Sequence, residues 1–187
     1  MTNNIMIDIE TLSTKTNASI LTIGAVKFNR HDFKVKEKFY KRITKESNEH
    51  FNRDFNQDTI DWWITQSEQA KKEIFENKDR INLSSALQEL SIFCRGASKI
   101  WANGICFDII ILQSAYEACD LDVPWKFWNI LDVRTIYDIS NVNLTIFKRQ
   151  NKLDKQHHNA LADCETQLLC MKQAFENLYD RCFVVED

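Results

Sequence analysis

Asp8 and Glu10 stand two residues apart in the apolar run Ile5-Met6-Ile7-Asp8-Ile9-Glu10-Thr11. Side chains on a β-strand alternate between faces, so both carboxylates project from one face, roughly 6.6 Å apart along the strand. Two acids on an apolar strand repel each other and lose hydration, a cost that needs a positive partner. A divalent cation suits an all-oxygen ligand set of this kind, with Mg²⁺ and Mn²⁺ the natural candidates. Taken alone, the pair also fits a strand with one solvated face.

Further acids occupy comparable places. Asp108 follows the strand-like Lys99 to Asn103 and opens a helical stretch. As a first-turn acid it would also be stabilised by the helix dipole. His158 and Asp163 are five residues apart at the head of the last apolar-periodic segment. On one helix they would diverge by about 140°. They converge if His158 lies in the preceding loop and Asp163 in the first turns. A histidine changes protonation near neutral pH and suits a general base. Exposed loop histidines at 157 and 158 are the plainer reading. A chance H-x-A-x-x-D in a chain of this size is expected a few per cent of the time, roughly, from ordinary residue frequencies. Finding it after D-x-E and a helix-opening aspartate is much rarer.

The elements that must position these residues follow from the pattern. Residues 5–9, 19–28 and 33–42 are rich in β-branched and aromatic residues and read as strands, with Asn29-Arg30-His31-Asp32 turning the last two as a hairpin. Residues 57–75 read as a helix with a break near Ser67, and 83–97 and 107–119 as further helices. Strands are expected at Lys99–Asn103 and Trp128–Asp132, then a short helix, then the long helix 159–182. The order βββ-α-β-α-β-α implies a mixed sheet with helices on its faces.

Composition bounds the rest. The 187 residues are 44% hydrophobic and 27% charged, which fits one globular domain over 1–187. The three scattered glycines, Gly24, Gly96 and Gly104, exclude a P-loop and a dinucleotide fingerprint. A net charge of −3 argues at face value against a nucleic-acid partner. Without Asp8, Glu10, Asp108 and Asp163 the remainder carries +1, so the acidity belongs largely to the candidate metal ligands. The six cysteines form no C-x-x-C pair, and the N-terminus lacks a signal-peptide pattern. Reduced cysteines in a cytoplasmic protein, in a bacterial cell or phage-infected host, and no membrane partner are the expectation.

Together these residues resemble the DnaQ-like 3′–5′ exonucleases of the DEDDh class, which share a ribonuclease H-like fold. Asp8 to Thr11 matches the first motif of that class, Asn103 to Asp108 (NGICFD) the second, and His158 to Asp163 the third. The similarity covers nearly the whole chain. Residues 60–67 (IDWWITQS), 126–135 (KFWNILDVRT) and the Trp101 to Leu112 region further resemble the exonuclease A group of T-even-type bacteriophages and related short exoribonucleases.

The resemblance implies an α/β, ribonuclease H-like fold: a mixed five-stranded sheet, three antiparallel strands then two parallel, flanked by helices. It implies two-metal phosphodiester hydrolysis, with Asp8 shared by two Mg²⁺ or Mn²⁺ ions. Glu10 and Asp163 would support one ion, Asp108 the second, and His158 would be the general base. The implied substrate is single-stranded DNA or RNA with a free 3′ end, DNA placed first, released as nucleoside 5′-monophosphates. An exoribonuclease of the same fold and a non-catalytic nucleic-acid-binding domain are the alternatives. Several relatives are homodimers, and that assembly stays open.

Substrate contacts are implied at the backbone of Thr11 and Leu12, with Leu12 wedged against the terminal base. Phe107 would stack on the terminal base or sugar, or simply pack in the core. Of the adjacent Trp62 and Trp63, one belongs in the core and the other at the substrate or a partner subunit, and Trp63 is taken as a substrate contact. Trp101 reads as core. Trp128, Asn129, Asp132 and Arg134 form a polar-aromatic cluster in which Arg134 would neutralise a phosphate, or pair locally with Asp132. Replicative relatives often carry His-Asn-Ala where this chain has Ala102-Asn103-Gly104, which puts the end-positioning role of Asn103 in question. Lys148, Arg149, Lys152 and Lys155 form a basic run beside His158, either a solvated loop or a phosphate track.

Overall fold

The computed structural model describes residues 3–153 and 158–183, with side chains to residue 180. Strands β1 (Asn3–Thr11), β2 (Ile20–Asn29) and β3 (Val35–Arg42) pair antiparallel in chain order. Strand β4 (Ala97–Ala102) adds in parallel to the other side of β1, and β5 (Ile130–Asp132) in parallel to β4. The sheet order is β3-β2-β1-β4-β5, the mixed arrangement expected.

Alternation along β1 divides the molecule. Ile5, Ile7 and Ile9 enter a core with Leu83, Leu87 and Leu90 of α4 (Leu83–Phe93) and Leu112 of α5 (Asp108–Ala118). Met6 faces the other way, into a second core with Val26, Trp101, Leu168 and Met171. Leu168 and Met171 belong to the long helix α8 (Ala160–Phe183), which crosses that face. Each fully buried Leu, Ile or Met contributes about 1.5–3 kcal/mol. Trp101 is core, as expected, and its indole N–H donates to Asn4 Oδ1 at 2.9 Å. Asp8 and Glu10 continue the row of Met6, so they emerge on the α8 face.

Several boundaries differ from the sequence expectation. Helix α4 stops at Phe93 rather than 97, because Gly96 turns at φ 73 and the chain re-enters the sheet at Ala97. Phe33 is not in β3 but in the hairpin turn, at φ 55, with its N–H donated to Asn29 O at 2.8 Å. The segment 57–75 does break at Ser67. Helix α2 (Gln57–Ile64) precedes it, and its hydroxyl caps α3 (Glu68–Lys71), which continues into a π turn at Lys72–Glu76. Trp128 lies in a 3₁₀ turn, Phe127–Asn129, ahead of β5.

Two short helices are additional to the sequence expectation, α1 (Lys45–His50), which has no apolar residue, and α7 (Leu144–Gln150), whose Leu144, Ile146 and Phe147 span about two turns. Side-chain caps from Thr44 and Asn143 start them. The short helix expected after β5 is α6 (Val133–Ser140). Lys148 and Arg149 fall in α7, while Lys155 and His157 lie outside the described residues. Among the described residues no helix is long and apolar enough to cross a membrane.

Candidate active site

Residues opposite each other on paired strands share a face. Gly24 is opposite Asp8 and therefore faces α8. A Cβ at Gly24 would lie 2.2 Å from the carbonyl carbon of Ala160, so only glycine lets the first turn of α8 rest on the sheet beside Asp8. Asn159 caps that turn, its Oδ1 accepting from Ala162 N at 3.1 Å. Asp163 reaches back from the first turn, and its Oδ2 accepts the backbone N–H of His158 at 3.1 Å and of Asn159 at 3.2 Å. His158 occupies a left-handed turn, φ 69, just before the helix. This is the loop-plus-first-turn arrangement in which the two side chains converge.

Asp8, Glu10 and Asp163 each present a carboxylate oxygen, and these atoms lie within 4.8 Å of one another. Asp108, at the start of α5, lines the same cleft of about 260 Å³ together with Asn103, Phe107, Arg134 and His158. Its Oδ1 accepts the backbone N–H of Ile9 at 3.2 Å, which ties α5 to β1. Burial, then repulsion from Asp108, Glu10 and Asp163, holds the Asp8 carboxyl well above the usual carboxylate range. Glu10 is raised in the same way, by burial and then by Asp163 and Asp108. Burial pushes Asp108 up to about 7, against the opposing pull of its backbone hydrogen bonds and of Arg134. Crowded, half-hydrated carboxyls of this kind fit a divalent cation, and the all-oxygen set suits Mg²⁺ or Mn²⁺.

Gln167 was not anticipated. Its Nε2 donates to Asp8 Oδ1 at 2.7 Å, while its own amide oxygen is buried without a hydrogen-bond partner. It lies one helical turn beyond Asp163, and that spacing was a readable signal. Asn159 is anchored in turn. Its Nδ2 donates to Tyr40 O–H at 3.2 Å, Tyr40 donates to Glu73 Oε1 at 2.6 Å, and Arg42 holds Glu73 through bonds of 2.5 and 3.0 Å.

The remaining expected contacts divide into two groups. Arg134 and Asn103 are in the cleft. Asp132 accepts the backbone N–H groups of Arg134 and Ile105 at 2.9 and 3.2 Å, clipping the start of α6 to the turn before α5. A Cβ on Gly104 would meet the Arg134 guanidinium carbon at 2.8 Å. Phe107 and Thr11 also border an adjoining pocket of about 500 Å³ that includes Glu10, Asp58 and Trp62.

Other expectations are corrected. Leu12 is 6% exposed and packs with Leu21, Ala70 and Ile74, so it is core rather than a wedge. Trp63 lines that adjoining pocket, but it is only 1% exposed and donates its indole N–H to Thr11 O at 2.9 Å, and the open member of the pair is Trp62. Trp128 and Asn129 are not brought to the cleft. Ile130 is level with Ile100 and Ile100 with Ile5. That register puts the start of β5 level with Ile5, about 10 Å along the sheet from Asp8, and Trp128 and Asn129 precede it in the 3₁₀ turn. Lys99 Nζ donates to Trp128 O at 3.2 Å there.

Comparison with known proteins agrees with this geometry. A family model for the 3′–5′ exoribonuclease Rv2179c-like domain matches residues 3–175. The exodeoxyribonuclease of Enterobacteria phage T4 is 24% identical over 203 residues, covering 90% of this chain and 87% of that protein. Exonuclease I has a similar structure, with a TM-score of 0.71 at 15% identity over 98% of this chain, although the chain spans only 43% of that protein's length. The nuclease domain of 3′hExo, a DEDDh family member bound to rAMP, matches with a TM-score of 0.66 at 14% identity, covering 94% of this chain and 92% of that domain. At such identities these structures share the fold. The family match over residues 3–175 goes further: the chain belongs to the Rv2179c-like 3′–5′ exoribonuclease domains, among the DnaQ-like 3′–5′ exonucleases.

Proposed function

We propose that the whole chain acts as one exonuclease domain, hydrolysing single-stranded nucleic acid from a free 3′ end and releasing nucleoside 5′-monophosphates. The observation that carries this reading is the convergence of Asp8, Glu10 and Asp163 within 4.8 Å, in a cleft shared with Asp108 and His158. Asp8, Glu10 and Asp163 would hold one Mg²⁺ or Mn²⁺ ion, and Asp8 with Asp108 a second. Bound there, the two ions would stabilise the attacking and leaving oxygens of an in-line displacement.

This chain's own residues do the rest. His158 takes the proton of the attacking water, with Asp163 and Asn159 fixing the backbone that carries it. Arg134, fitted against Gly104, meets the phosphate. Gln167 orients Asp8 through its amide N–H. Thr11, Phe107 and Trp62 border the pocket that receives the terminal nucleoside, where stacking accepts any base.

DNA is the first substrate reading, supported by the T4 exodeoxyribonuclease similarity over 90% of the chain. RNA is the second, favoured by the exoribonuclease description of the family. The test is degradation of matched 5′-labelled single-stranded DNA and RNA, with 3′ ends free or blocked, in Mg²⁺, Mn²⁺ or EDTA. Stepwise shortening of free ends that requires the cation is expected. Degradation indifferent to EDTA or to a 3′ block would overturn the mechanism.

A further inference from the structure

Trp62 stands between His158 and the pocket proposed for the terminal nucleoside. Its ring centroid lies 4.8 Å from that of His158, with the ring planes at 85°. The Trp63 ring is 5.5 Å from His158 and 5.1 Å from Trp62, again edge to face. Trp63 is buried and bonded to the Thr11 carbonyl, so it forms a fixed base. Trp62 rests on that base yet is 45% exposed, and it borders the pocket that holds Glu10 and Phe107. One side of Trp62 therefore packs on the imidazole, while its open surface meets whatever fills the pocket. An aromatic ring half open to water gains on stacking, and every nucleobase offers a π-face. Stacking from the pocket side also restricts the rotamers in which the indole would leave His158.

We infer that Trp62 is a positioning residue that couples occupancy of the pocket by the 3′-terminal base to the placement of His158. The inference rests on the reading of His158 as general base. With a base in the pocket, the indole is held against the imidazole and His158 is fixed for proton transfer. With the pocket empty both indoles keep their edge-to-face contacts with the imidazole, and Trp62, 45% exposed, can change rotamer. The coupling belongs to kcat more than to KM, and it is indifferent to base identity.

The test is a double cycle between Trp62→Ala and removal of the terminal base, using oligonucleotides whose 3′-terminal nucleotide is either natural or an abasic analogue with a free 3′ hydroxyl. On the natural end Trp62→Ala should lower kcat about tenfold, in line with the loss of one aromatic stack. On the abasic end the two proteins should differ less than about twofold, because the stack they differ in is already absent. Trp62→Phe should restore most of the loss. In EDTA, the His158 ring-proton resonances of the wild type should be displaced from their positions in Trp62→Ala. Equal kcat losses on both ends, a loss confined to KM, or unshifted His158 resonances would each overturn the coupling. Full activity of His158→Ala would instead sink the general-base reading, and would leave the ring contact seen by resonance intact.

Discussion

Gly24 and Ala160 meet backbone to backbone: a Cβ on Gly24 would fall 2.2 Å from the Ala160 carbonyl carbon and 2.4 Å from its oxygen. No side chain stands there to yield, so the helix must move. Gly24→Ala should therefore push the first turn of α8, with His158 and Asp163, away from Asp8. A stability loss of about 1–3 kcal/mol is expected by analogy with overpacking. Urea denaturation beside a nuclease assay checks this. An active Gly24→Ala protein of unchanged stability would refute the contact.

His158 is tied to the acid cluster through its backbone, whose N–H donates to Asp163 Oδ2 at 3.1 Å. His158→Ala should keep the acid cluster intact, and lose activity by roughly 10²–10⁴-fold as a general base does. Titration calorimetry with Mn²⁺ should give wild-type affinity. Lost Mn²⁺ binding with normal turnover would reverse that division of roles.

Gln167 Nε2 donates to Asp8 Oδ1 at 2.7 Å, across the sheet-facing side of α8. Gln167→Leu should weaken divalent-cation affinity or activity about 10–100-fold, as loss of a partner that orients a metal ligand does. Calorimetry measures it directly. Unchanged affinity and rate would mean that the Asp8 carboxylate is held by its strand alone.

The acid cluster sets a pH dependence for the metal-free protein. The folded Asp108 carboxyl stands at about 7, against about 3.9 for an unfolded aspartate. A raised folded value gives stability that is fully present below about pH 4 and is lost as pH rises towards 7. Asp8 and Glu10 shift in the same direction. In EDTA the Tm should fall between pH 5 and pH 8, and Asp108→Asn should flatten that fall. Mn²⁺ should restore the Tm at pH 8. A metal-free Tm that rises over this range in both proteins would contradict the assignment.

Arg134 lines the acidic cleft, whereas Trp128 sits at the far end of β5 and is 57% exposed. Arg134→Ala should lower kcat/KM at least about tenfold, within the 1.5–3 kcal/mol of a hydrogen bond to a charged group. Trp128→Ala should leave kcat/KM on short oligonucleotides within about twofold, as surface changes away from a site do. Steady-state kinetics on a trinucleotide separates the two. A larger effect at Trp128 than at Arg134 would reverse the placement drawn from strand register.

Much of the fold was readable because its signals are local. The β-branched runs of β1 to β3 and the period of α4, α5 and α8 depend only on near neighbours. Ser67 marked its own break through its cap. Helices α1 and α7 were not legible because α1 is wholly polar and α7, with Leu144, Ile146 and Phe147, is too short to show a period, so caps and tertiary packing hold them. Strand β5 starts two residues later than the pattern suggests, because the aromatic Trp128 looks strand-like while the 3₁₀ turn leaves its ring exposed.

The candidate site divides along the same line. Strand alternation alone determined that Asp8 and Glu10 share a face, and helical geometry alone required His158 to precede the helix if it is to meet Asp163. Neighbours on a helix point about 100° apart, so one of Trp62 and Trp63 had to face outward. Only the tertiary structure decided which, because Trp63 is drawn inward by the Thr11 carbonyl, 52 residues away in the chain. It alone revealed Gln167, whose partner Asp8 is 159 residues distant, and the need for a bare Gly24 beneath α8. It also carried Trp128 away from the site, through a register set by two successive strand pairings. Side-chain direction is written in short-range periodicity. Which surfaces meet is settled by packing between segments that no local pattern links.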